Sequence, residues 1–240
     1  MIENQTFDIK DLVEYCGYEF PENEYKLLKF EESTLNKKYG LIKVLSIKLN
    51  KTDGKPIVVI PGYSQKSFCS MLKIILEGLN NIKDKYSELF IFMWSPEVKE
   101  ISEKIIENVN DINIKYEINE KFRMELAEIL DKILRSPAIK FKKFILMGKS
   151  AGGGVAAYVA KMNKNVRKLI LISPGSISHG ENLEDFKKKI ILSWNKDDPV
   201  ILHDEITQYI DNFKKNNNKY KYYSFEKGGH EINIELLNKL

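Results

Sequence analysis

Cysteine is scarce in this chain: Cys16 and Cys69 are the two in 240 residues. So few provide no disulfide framework, and two isolated thiols do not make a zinc site. Histidine-glutamate spacings of the metalloprotease kind are absent too, so no metal and no other cofactor is expected. No apolar run approaches the roughly 18–20 residues of a membrane span. The opening "MIENQTFDIKDL" lacks the apolar centre of a signal peptide. Charge of one sign is not in excess: Lys+Arg number 38 against 34 Asp+Glu, a net +4. A nucleic-acid footprint needs basic residues gathered on one face, and here lysine is interspersed with acids. Runs such as "FKKNNNKYK" (213–221) read as solvated surface. Repeats, low-complexity tracts and flexible linkers are also missing. The expectation is a soluble cytoplasmic protein forming one domain over 1–240, with no nucleic-acid partner. Residues 1–24 form an N-terminal extension, and nothing signals an oligomeric state.

What the sequence does have is apolar material, 43% of its residues, enough for a sizeable core. It comes in short runs. "YKLLKF" (25–30), "GLIKVLSIKL" (40–49) and "YKYYSF" (220–225) alternate, as half-exposed strands do. "PIVVIP" (56–61), "LFIFMW" (89–94), "KFILM" (143–147), "KLILIS" (168–173) and "KIILSW" (189–194) are apolar almost throughout, as strands covered on both faces are. Helical spacing marks 66–79, 96–109, 119–136, 151–162 and 204–216 between them. The alternation predicts an α/β fold: a mostly parallel sheet of about eight strands flanked by helices.

One stretch carries chemistry, "FILMGKSAGGGVAAYVAK" (144–161). Strand, glycine turn and helix suit either a phosphate-binding loop ending in Gly-Lys-Ser or a nucleophile elbow, Gly-x-Ser-x-Gly. Asn195-Lys196-Asp197-Asp198 adds a guanine-reading pattern. The phosphate loop, however, needs a glycine where Lys143 stands, and Lys143 opens the strand itself. An Asp-x-x-Gly step for magnesium is also missing from 151–194. The elbow meets its requirements, with Gly148 and Gly152 flanking Ser150 where larger side chains would clash. Lys149 is then the variable position of the turn, solvated or against a substrate.

A serine elbow calls for an acid and then a histidine further along. His230 follows the last strand in "FEKGGHEI", on a glycine-rich loop. His203 reads as a helix-start residue. His179, in a loop on the same rim, is a pocket candidate that surface polarity explains equally well. Asp198, before Pro199 in "WNKDDPV", is the expected acid, with Asp197 the fallback.

"IPGYSQ" (60–65), "GKSAG" (148–152), "WNKDDPV" (194–200) and "GGH" (228–230), in that order on those elements, resemble the α/β-hydrolase superfamily. The resemblance spans about 25–240 and is to the small serine esterase or lipase-like members without a large cap. It implies a carboxylesterase-like reaction through Ser150, Asp198 and His230, with the backbone N–H groups of Tyr63 and Ala151 as oxyanion donors. A thioesterase, a serine peptidase, or a catalytically silent binding protein of this fold are the other readings. The partner implied is a small acyl substrate. Tyr63, Ser64, Lys149, His179 and Trp194 are candidate pocket residues, while Phe68 and Trp94 read as core. Only 174–188 separate two strands where relatives insert a lid, so no large cap is expected there. Residues 95–118 are a possible small insertion near the site.

Overall fold

The computed structural model describes residues 2–6, 9–17, 19, 25–30, 38–137, 139, 141–175 and 183–240. The elements begin with strand β1 (Ile2–Thr6), helix α1 (Ile9–Cys16) and strands β2 (Tyr25–Phe30), β3 (Ile42–Lys48) and β4 (Lys55–Ile60). Helix α2 (Gln65–Glu77), β5 (Tyr86–Met93), α3 (Pro96–Asn108) and α4 (Ile112–Leu134) follow. Then come β6 (Phe144–Lys149), α5 (Ala151–Met162), β7 (Val166–Ile172), β8 (Lys189–Asn195), α6 (Ile206–Lys215), β9 (Tyr220–Phe225) and α7 (Ile234–Lys239). His179, and with it 176–182 of the interval expected to lack a cap, lies outside the described residues.

The nine strands of the described residues join one sheet in the order β1-β2-β3-β5-β4-β6-β7-β8-β9. From β5 to β9 the pairing is parallel; β1, β2 and β3 add an antiparallel edge. The eight expected strands are all present, and β1 is the ninth. Its sequence, "IENQT", carries no apolar alternation; its pairing with β2 makes it a strand. Helix α4 likewise starts at Ile112, a full turn and more before the apolar spacing of 119–136 announces it. Asp111 caps it, accepting from the N–H groups of Asn113 and Ile114. Those early turns leave Ile112, Ile114 and Tyr116 exposed.

The parallel strands are apolar because both faces are covered. Leu28, Val44, Phe92 and Leu146 pack on one face with α4 residues Phe122, Leu126 and Leu130 and α6 residues Tyr209 and Phe213. Leu27, Leu45, Val59 and Met147 pack on the other with Leu12 of α1, Met71 and Leu72 of α2 and Leu236 of α7. Full burial of a leucine or isoleucine contributes about 1.5–3 kcal/mol, so these two layers supply the main driving force for folding. The chain order reverses at β4, which lies between β5 and β6. A crevice therefore opens at the carboxyl ends of β4 and β6, the usual ligand position in such sheets.

Candidate active site

Ser150 follows the last residue of β6 and caps α5 with φ 54° and ψ −130°. A non-glycine residue at positive φ is costly and persists only when its surroundings enforce it. Here they do. A Cβ on Gly148 would come within 2.6 Å of the Ala156 methyl group, and one on Gly152 within 2.2 Å of the Pro61 carbonyl oxygen. Glycine at both positions lets β6, α5 and the loop after β4 close around the serine. The Ser150 N–H donates to Ile172 O at 3.0 Å, and its carbonyl accepts from Gly153 and Gly175. The turn is locked from both sides.

The loop after β4 is equally fixed. Ser64 caps α2, its hydroxyl accepting from Ser67 N, and the Ser67 hydroxyl accepts from Gly62 N at 3.0 Å. The Trp94 indole donates to Pro61 O at 3.0 Å. A Cβ on Gly62 would lie 3.7 Å from that of Ser150, so this loop runs beside the serine. Tyr63 follows, its ring edge-on to Trp94 and to Phe122. Burial pushes its phenol up to about 12, against the opposing field of Arg123 on α4, so the hydroxyl stays protonated. Arg123 also faces Tyr209. No sequence pattern singles it out.

At the end of β8 the two adjacent aspartates divide their work. Asp197 accepts from the N–H groups of Gly228 and Gly229, at 3.2 and 2.8 Å. Asp198 meets His230 Nδ1 through both carboxylate oxygens, at 3.0 and 2.8 Å. Its Oδ1 also accepts from Val200 N and Ile201 N. Burial would raise the Asp198 carboxyl, but the hydrogen bonds from His230, Ile201 and Val200 outweigh it and hold it below its usual range. Asn195 completes the clamp: its amide donates to Gly229 O and Glu231 O, on either side of His230.

Two of the expected pocket residues point elsewhere. Lys149 is 2% exposed, and its Nζ meets Glu231 Oε2 at 2.7 Å. Such a cation, taken out of water, needs a close partner. Glu231 also accepts from the Ser70 hydroxyl. This pair ties the residue before Ser150 to the residue after His230. Trp194 is 1% exposed, and its indole donates to Ile201 O; it supports the loop carrying Asp198 from within the core. Tyr63 and Ser64 do line a cavity, together with Trp94, which also packs in the core as expected.

A strained serine after a central parallel strand, facing a glycine-containing loop, with a bonded Asp-His pair two strands along, is one architecture. A family model described as alpha/beta hydrolase fold matches residues 123–228.

The chain has the α/β-hydrolase fold.

Solved α/β-hydrolases resemble it across most of its length. Acetyl xylan esterase 1 from Thermoanaerobacterium sp. JW/SL YS485 is 16% identical, covering 99% of this chain and 87% of that one at a TM-score of 0.57. Dienelactone hydrolase from Anabaena variabilis ATCC 29413 is 17% identical, covering 84% and 87% at 0.56. Est1E from Butyrivibrio proteoclasticus is 12% identical, covering 82% and 91% at 0.55. At such identities the likeness is one of fold. No curated protein matches the sequence. Among the described residues no helix is long and apolar enough to cross a membrane, and no group of metal-ligating side chains is gathered.

Proposed function

We propose that this α/β-hydrolase is a serine hydrolase that cleaves small acyl esters through a covalent acyl-enzyme. The observation that carries the reading is the bonded Asp198–His230 pair, clipped by Glu231 to Lys149 beside the elbow serine. A serine hydroxyl is a weak nucleophile until a base takes its proton. In the proposed reaction Ser150 Oγ attacks the acyl carbon while His230 accepts the proton. Asp198 holds the imidazole in the tautomer that leaves Nε2 free and stabilises the cation that forms. The oxyanion sits on the N–H groups of Tyr63 and Ala151, donors that cost no reorganisation because both loops are already fixed. Collapse expels the alcohol, which takes the proton from His230. Water then repeats the sequence on the acyl-enzyme and releases the acid. The site residues supply every proton transfer.

The test is covalent. A fluorophosphonate is expected to label the wild-type protein stoichiometrically and to leave Ser150→Ala unlabelled. Labelling of the variant, or none of the wild type, overturns the proposal.

A further inference from the structure

A cavity of about 840 Å³ is lined at one end by Tyr63 and Ser64, by Tyr15 of α1, and by Leu27, Lys29 and Lys43 of the antiparallel edge of the sheet. Part of its lining is apolar, from Tyr15, Leu27, Leu41, Met93 and Trp94. Lys29, Lys43, Lys66 and Lys99 also line it, against a single acid among the described residues, Glu97. That carboxylate is already held by its own backbone N–H and the Ser95 hydroxyl. Lys99 stands 3.4 Å from Glu103 on the outer side of α3.

Lys29 and Lys43 differ from the rest. They are directly opposite one another in the β2–β3 ladder, so both side chains leave the same face. The row continues through Met93 beyond Lys43, and Glu3 lies opposite Lys29 at the outer strand. Both lysines are half-buried. Like charges set directly opposite in a sheet are destabilising. A carboxylate or phosphate between them removes that cost.

Their place in the sheet gives a length. The β2 strand runs parallel to β5, so Lys29 near its end and Lys43 near the start of β3 stand at the same rim as Ser150. From β6, which carries Ser150, the order runs β4, β5, β3, β2. At the usual strand spacing Lys43 is about 14 Å and Lys29 about 19 Å from the serine across the sheet.

We propose that the substrate is amphiphilic: an acyl ester whose chain crosses the apolar floor of this cavity and ends in an anionic group held by Lys29 and Lys43. The inference rests on Ser150 being the nucleophile. It adds that the reacting carbon and the charge are separated by somewhat less than the roughly 14–19 Å between the strand that leads to Ser150 and those of Lys43 and Lys29.

Fluorophosphonates of one tail length test both levels at once, with tails ending in carboxylate, in phosphate or in a neutral methyl ester. The wild type is expected to react with at least one anionic probe about tenfold faster than with the neutral one. That ratio should fall toward one in 1 M salt, where the Debye length is about 3 Å. It should also fall toward one in Lys29→Gln/Lys43→Gln and recover in Lys29→Arg/Lys43→Arg. The ratio is read within each protein, so a general loss of folding cancels. A neutral probe as fast as both anionic ones, or a preference that survives the glutamine substitutions, overturns the anionic-substrate proposal and leaves the serine hydrolase standing. No labelling by any of the three overturns both.

Discussion

Asp197 and Asp198 are chemically identical neighbours with different surroundings. Asp198 faces His230 and two backbone amides; Asp197 faces the amides of Gly228 and Gly229. Asp198→Asn is therefore expected to cut ester turnover about 10³–10⁴-fold, because the amide no longer selects the productive imidazole tautomer. Asp197→Asn retains one oxygen acceptor and is expected to lose less than tenfold; p-nitrophenyl ester kinetics rank the two, and the reverse order would exchange their roles. The depressed Asp198 carboxyl also sets a direction with pH. Its ordinary value is 3.8 and its folded value is lower. Its contribution to stability is therefore complete above that ordinary value and is lost as pH falls through the folded one. Thermal melts of wild type and Asp198→Asn are expected to keep a constant gap above about pH 5 and to converge in stronger acid.

Elements explain how much of this was readable in advance. The elbow, the acid loop and the histidine loop each fall at the end of a strand whose apolar run marks it; spacing left Asp197 beside Asp198, and the hydrogen bond to His230 falls to Asp198. Lys149 could not be placed. An elbow's second residue is free in sequence terms, and only the approach of α7's preceding loop brings Glu231 to it. Trp194 ends an apolar run, where core and pocket look alike. The β1 strand has no signal of its own and exists because β2 offers an edge. Glycine in α5 was legible as close packing, and its partner is now identified: Gly152 lies against the backbone of Ile60 and Pro61. Gly152→Ala must push the loop that carries Tyr63, since backbone carbonyls cannot rotate away as a side chain can. The expected result is a loss of about 1–3 kcal/mol in denaturant melts, with labelling of Ser150 slowed further than stability alone accounts for. An unchanged labelling rate would mean that the loop can retreat without disturbing the site.

At the scale of the whole molecule, a disulfide ties α1 to α2. Cys16, the last residue of α1, is bonded to Cys69 on α2, across 53 residues with a Cα–Cα distance of 5.4 Å. Beside it the Gln65 side chain donates to Tyr15 O. The scarcity of cysteine gave no hint of this pairing, because two thiols far apart in sequence meet only once α1 lies on α2. Disulfides persist in oxidising compartments and are rare in the cytosol. Closing a loop of that length removes unfolded-state freedom worth about 4 kcal/mol in the chain-entropy account. For a chain of 240 residues that corresponds to a fall in Tm of about 8–16 °C when the bond is absent. Reduction with dithiothreitol and the Cys16→Ser/Cys69→Ser variant are expected to shift the melt by the same amount, and not additively. Equal melting with and without reductant, with two titratable thiols in the denatured protein, would mean that the sulfurs stand side by side unbonded and that packing alone holds α1 on α2.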